Sequence, residues 1–127
     1  MERVWIYSNN PDAAAAFADT IRWVDGDVTA VLTAVRDAVH TGARVVSHPQ
    51  AGAVKLWETP YKSVAVLPVS GTVHFPSLQL IEDALAMLRR QPAGYKQPIY
   101  NEATRADFRV IDLDMMEGIR WQQCMTC

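Results

Sequence analysis

Hydrophobic and polar positions alternate along this chain in two rhythms, short β-prone runs and longer stretches at helical spacing. Arg3–Ser8 (R-V-W-I-Y-S) is β-branched and aromatic and ends at the polar turn Asn9-Asn10-Pro11, which predicts a first strand. The alanine-rich Asp12–Asp19 predicts a short helix, and Ile21–Val24, closed by Asp25-Gly26, a second strand. Asp27 then stands as an N-cap before Val28, Val31, Leu32, Val35 and Val39, a single helical stripe stopped by Gly42. Arg44–Ser47 predicts a third strand. Ser63–Val69 predicts a fourth, whose unbroken apolar character suits burial on both faces.

Beyond the Ser70-Gly71 turn, Thr72–Phe75 suits a short edge strand. A helix opening at Pro76-Ser77 carries Leu78, Ile81, Leu85 and Leu88, favours Arg89 and Arg90 at its C-terminal end, and stops at Pro92. A last helix, Thr104–Gln122, presents Phe108, Ile111, Met115 and Ile119 at core spacing, with Asp107, Arg109 and Asp114 outward. Strands alternating with helices predict a single α/β layered domain over 1–127. Its expected sheet is mainly parallel, of four or five strands, with helices on both faces.

The segment from His48 to Lys62 (H-P-Q-A-G-A-V-K-L-W-E-T-P-Y-K) breaks both rhythms. A connection of this length without its own period is uncommon unless it forms a site or is disordered. Val54, Leu56, Trp57 and Tyr61 argue for order. Arg44, Lys55 and Lys62 against Glu58 make the region locally positive, and His48 can add charge. Such a loop suits a small anion, a carboxylate or a phosphate. Open α/β sheets bind ligands beyond the carboxyl ends of their strands, which brings Asn9 and Asn10 to the same edge as His48. If strands three and four form a hairpin, Thr59, Tyr61, Lys62 and Ser63 join them; if the loop crosses over to a parallel partner, they lie at the opposite edge. Both topologies remain open at this level. His48 is the candidate acid or base of an enzymatic alternative acting on a small carboxylate or phosphate ester, with a lysine to stabilise developing negative charge and Glu58 as a second candidate base.

Composition narrows the partners. Twelve Lys plus Arg against fourteen Asp plus Glu, a formal charge of −2, give no basic footprint for nucleic acid. No run is apolar enough to span a bilayer and the first residues lack a signal-like core, so the protein is expected in the cytoplasm; a homo-oligomer is compatible with this composition. Cys124 and Cys127 have the spacing of a redox or metal pair, but they end the chain instead of opening a helix, and zinc needs two further ligands. No metal site is expected. No glycine-rich phosphate loop or nucleophile elbow is present, and no cofactor is implied.

His48-Pro49-Gln50-Ala51-Gly52-Ala53-Val54-Lys55 and Glu58-Thr59-Pro60-Tyr61-Lys62-Ser63, with Val35–Gly42, Asn9-Asn10-Pro11, Ser77–Glu82 and Asp107–Asp112, resemble the GrdX family. These are small proteins encoded beside the glycine, sarcosine and betaine reductase system. The resemblance covers nearly the whole chain. It implies an accessory or regulatory role without an assigned activity or cofactor, and a protein of the reductase system as a possible partner, the loop then serving as a docking surface.

Overall fold

The computed structural model describes residues 4–50 and 55–125, with side chains described to residue 119. Four strands, β1 (Trp5–Ser8), β2 (Ile21–Trp23), β3 (Arg44–Val45) and β4 (Ser63–Leu67), form one sheet in the order β2-β1-β4-β3. Four helices accompany them: α1 (Pro11–Ala16), α2 (Val28–His40), α3 (Phe75–Arg89) and α4 (Glu102–Met125). The expectation of a mainly parallel sheet is corrected. Only β1 and β2 run parallel, joined through α1; β1 with β4 and β3 with β4 are antiparallel. Parallel neighbours need a crossover, usually a helix, whereas between β3 and β4 the described residues hold a single 3-10 turn, Leu56–Glu58.

β4 explains why its sequence misleads about direction. Val64 and Val66 face α2 and α3, where Leu32, Val35, Val39, Ile81 and Leu85 complete one core. Ala65 faces the other side, packed with Ile6, Ala13, Phe17 and Met116 beneath α1 and α4. A strand covered on both faces is apolar throughout whichever way its neighbours run.

Side-chain caps open two helices, that of α2 as the sequence predicts and that of α1 from a residue the sequence presents only as part of a turn. Asn10 Oδ1 accepts from the Asp12 N–H at the head of α1, and Asp27 Oδ1 from the Ala30 N–H at the head of α2. Past α2, Gly42 adopts φ +110, and a Cβ there would lie 2.6 Å from the Gly71 nitrogen. Thr72–Phe75 is not a strand: the Gly71 N–H donates to Thr41 O, and α3 begins at Phe75. The Ser77 hydroxyl accepts the Val45 N–H and sits 2.7 Å from His74 Nδ1, which ties the start of α3 to β3.

α4 rotates away from the expected stripe. Ile111 is 53% exposed and Val110 60%, while Asp112 and Met116 are buried and Leu113, Met115 and Ile119 are partly covered. Arg109, expected outward, has only 15% of its side chain exposed. Ala51–Val54 and Cys127 lie outside the described residues, as does the side chain of Cys124 in α4.

Candidate functional site

The antiparallel β1–β4 pair sets the C-terminal end of β1 against the N-terminal end of β4, with Ser8 opposite Ser63. The hairpin alternative therefore holds, and Asn9, Asn10, Tyr61, Lys62 and Ser63 share one edge. Asn9 is a three-way brace: its Nδ2 donates to Gly26 O and to Pro60 O, each at 3.0 Å, and its Oδ1 accepts the Lys62 N–H at 2.8 Å. Asn10 spends its Nδ2 on Arg109 O and Asp112 Oδ2, also at 3.0 Å. Both N–H bonds of each amide are thus used inside the fold, so these residues shape the site.

Asp112 is the hub. Its Oδ1 accepts the Ser63 N–H at 2.9 Å, and its Oδ2 accepts from Asn10 and from the Ser63 hydroxyl at 2.6 Å. Ser8 Oγ lies 2.7 Å from Ser63 Oγ and accepts the Asn10 N–H. A hydroxyl has one hydrogen. With Ser63 donating to Asp112, Ser8 donates to Ser63, and the chain of hydroxyls ends on the carboxylate. Lys62, 4% exposed, lies within the field of this carboxylate. Burial depresses its ammonium from 10.5 to about 8, and the Asp112 charge holds it from falling further.

Arg109, one turn before Asp112 on α4, forms the outer part of the cluster. Its Nη1 donates to the Tyr61 hydroxyl at 3.1 Å, its Nη2 to Glu102, and its Nε lies 3.8 Å from Asp12 Oδ2. The Glu102 hydrogen bond, with Tyr61 second, keeps the guanidinium firmly protonated; the same bond holds the Glu102 carboxyl below its usual range. Glu102 is itself 70% exposed.

The remaining expected residues lie apart. His48 is exposed, and its Nδ1 accepts the Gln50 N–H at 3.1 Å. Lys55 is exposed and stands 3.9 Å from Glu58. Thr59 Oγ1 donates to Tyr61 O, which shapes the approach to Lys62. Among the described residues, no hydrogen bond or ion pair links His48, Lys55 or Glu58 to Asp112. Ser8, Asp112, Arg109, Asp12 and Glu102 were not among the expected site residues. A signal for Asp112 was present, because it shares the α4 stripe with Phe108, Met115, Met116 and Ile119, and a carboxylate at core spacing requires a buried partner.

The model of the GrdX-like protein family matches residues 5–119. The chain belongs to this family. The matched span of the GrdX-like chain includes every residue of the Ser8–Asp112 cluster and stops short of Cys124 and Cys127. No match was found among curated proteins or among solved structures. Among the described residues of the GrdX-like protein, no helix is long and apolar enough to cross a membrane, and no three His, Cys, Asp or Glu side chains gather as a metal site requires.

Proposed function

We propose that this GrdX-like protein is an accessory protein that binds a small anion, a carboxylate or phosphate, at Arg109, Tyr61 and Lys62. One observation carries the reading: the Arg109 side chain, only 15% exposed and oriented by Tyr61 and Asp12, meets a highly exposed carboxylate of its own chain. Arginine presents a planar fork that matches carboxylates and phosphates, and Glu102 stands where such a ligand would dock. Lys62 and Arg109 are balanced by Asp12 and Asp112. Glu102 adds negative charge beyond that balance, so an incoming anion replaces it and does not join it. Glu102 returns readily to water from its exposed position, which makes the exchange favourable for a ligand with a second contact to Tyr61 or Lys62.

Asn9, Asn10 and Ser63 serve this reading as the frame and Thr59 as the approach, while His48 and Lys55, the latter beside Glu58, stand apart from it. The enzymatic alternative with His48 as acid or base draws no support from its exposed position. Docking to a protein of the reductase system is favoured by one observation, the exposed Val110 and Ile111 beside Arg109 on α4.

The test is thermal stabilisation by sodium acetate and by inorganic phosphate at constant ionic strength. The wild type is expected to gain stability with either anion and Arg109→Gln to gain none, while Lys55→Ala retains most of the effect. Equal stabilisation of Arg109→Gln, or none in the wild type, contradicts the proposal.

A further inference from the structure

A second feature lies on the other side of Asn9. The Gly26 and Pro60 carbonyls that Asn9 ties together flank a cleft of 260 Å³ between the head of α2, the tail of α3 and the 3-10 turn. Its floor is apolar, with Leu56 and Val28 buried. Trp57 and Tyr95 both line it, their rings 6.5 Å apart and steeply inclined at 75°. Gln97 Nε2 donates to the carbonyls of Trp57 and Thr59, each at 3.2 Å, and so fastens the aromatic rim before any ligand arrives. The volume is just under the ~300–1,000 Å³ usual for small-molecule sites, so the ligand must be small.

Charge decides its chemistry. Among the described lining residues Asp27 carries the formal charge, and its full negative charge outweighs the partial positive charge of the α2 N-terminus that it caps. Glu58, on the same turn as Trp57, adds to the negative field. Desolvation first and Glu58 second raise the Tyr95 hydroxyl above its ordinary value, which places the Glu58 charge within reach of the ring. Lys55 offsets part of the Glu58 charge, but at 3.9 Å and in the open, where such a pair is weak.

Aromatic faces beside a carboxylate attract organic cations, whose spread charge sheds water easily. Small inorganic cations need a shell of several oxygen ligands, usually more than one of them a carboxylate, and among the described lining residues Asp27 is the one carboxylate, beside the neutral Thr29, Thr59, Gln91 and Gln97; anions are repelled by Asp27. We propose that this cleft binds a small alkylammonium group, with Trp57 and Tyr95 as its walls and Asp27 as its counter-charge. The site is separate from the anion site at Arg109 and does not depend on it.

Asp27→Asn tests the charge without removing the cap, because asparagine caps a helix as well as aspartate does. Tetramethylammonium chloride is titrated across the millimolar range into 15N-labelled protein, at ionic strength held constant with sodium chloride, and followed at the Trp57 indole N–H. Neopentyl alcohol, similar in shape and uncharged, is titrated in parallel. A saturable Trp57 shift with the ammonium is expected, weakened roughly tenfold in Asp27→Asn, while the response to the alcohol is the same in both proteins. Tyr95→Leu, remote from the cap, is expected to weaken the ammonium alone and guards against misfolding of the first variant. No saturable shift, equal affinity in Asp27→Asn, or an alcohol bound as tightly as the cation overturns the proposal.

Discussion

Asp112 shows how one buried charge organises its surroundings. Its carboxylate serves as acceptor for the Ser63 N–H, the Ser63 hydroxyl and Asn10, and leaving such donors unpaired costs far more than an average hydrogen bond returns. Asp112→Ala is therefore expected to lose about 3 kcal/mol of stability in denaturant unfolding; a loss no larger than that of an ordinary surface substitution contradicts the hub. Lys62 makes a second prediction, in pH. Below about 8 it is charged both folded and unfolded. Between about 8 and its ordinary 10.5, the folded protein has released a proton that the unfolded chain still holds, so stability rises with pH through this window. The rise amounts to about 3 kcal/mol. It is expected to vanish in Lys62→Met, and persistence of the same rise there assigns it to other groups. At this scale the sequence was partly legible. Asn9 and Asn10 are recognisable at the edge where the first strand ends, but whether Tyr61, Lys62 and Ser63 join them rests on the strand direction that only the structure gives, and His48 and Lys55 stand out in the sequence by their charge although they face solvent. Asp112 and the inner contacts of Arg109 are hidden in the sequence because Asn10, Asp12, Tyr61 and Ser63 lie tens of residues away.

Elements were more legible than their relations. The Asp27 cap, the valine stripe and the Gly42 stop of α2 appear as the sequence predicts, because each is set by neighbours within a turn or two. α4 was misplaced for the opposite reason. Its rotation follows the bonds from Asn10 and Ser63 to Asp112, which draw a polar side chain inward and leave Val110 and Ile111 in water; an apolar stripe alone carries no trace of them. Gly42 and Gly71 supply a test at this scale. Both have positive φ, but a Cβ at Gly42 meets the Gly71 and Ser70 backbone while one at Gly71 meets nothing within 4 Å. Gly42→Ala is expected to cost about 2–3 kcal/mol in thermal unfolding and Gly71→Ala about 1 kcal/mol. Equal losses would mean that the contact between the two turns contributes little.

The direction of β4 matters most for the whole molecule. Its antiparallel pairing with β1 and β3 is what returns the chain to the edge where β1 ends, so that Tyr61 and Lys62 meet Asn9 and α4 delivers Arg109 beside them. The sequence left this choice open because an apolar strand reads alike in either direction when helices cover both faces. The family match spans the cluster without assigning it a role, and the anion reading rests on Glu102 as the occupant of a ligand's place. The most direct measurement compares the affinity of wild type and Glu102→Gln for acetate and for inorganic phosphate by calorimetry at fixed ionic strength. Removing the competing charge is expected to tighten binding several-fold while Arg109→Gln abolishes it. Unchanged or weaker binding in Glu102→Gln would contradict the account.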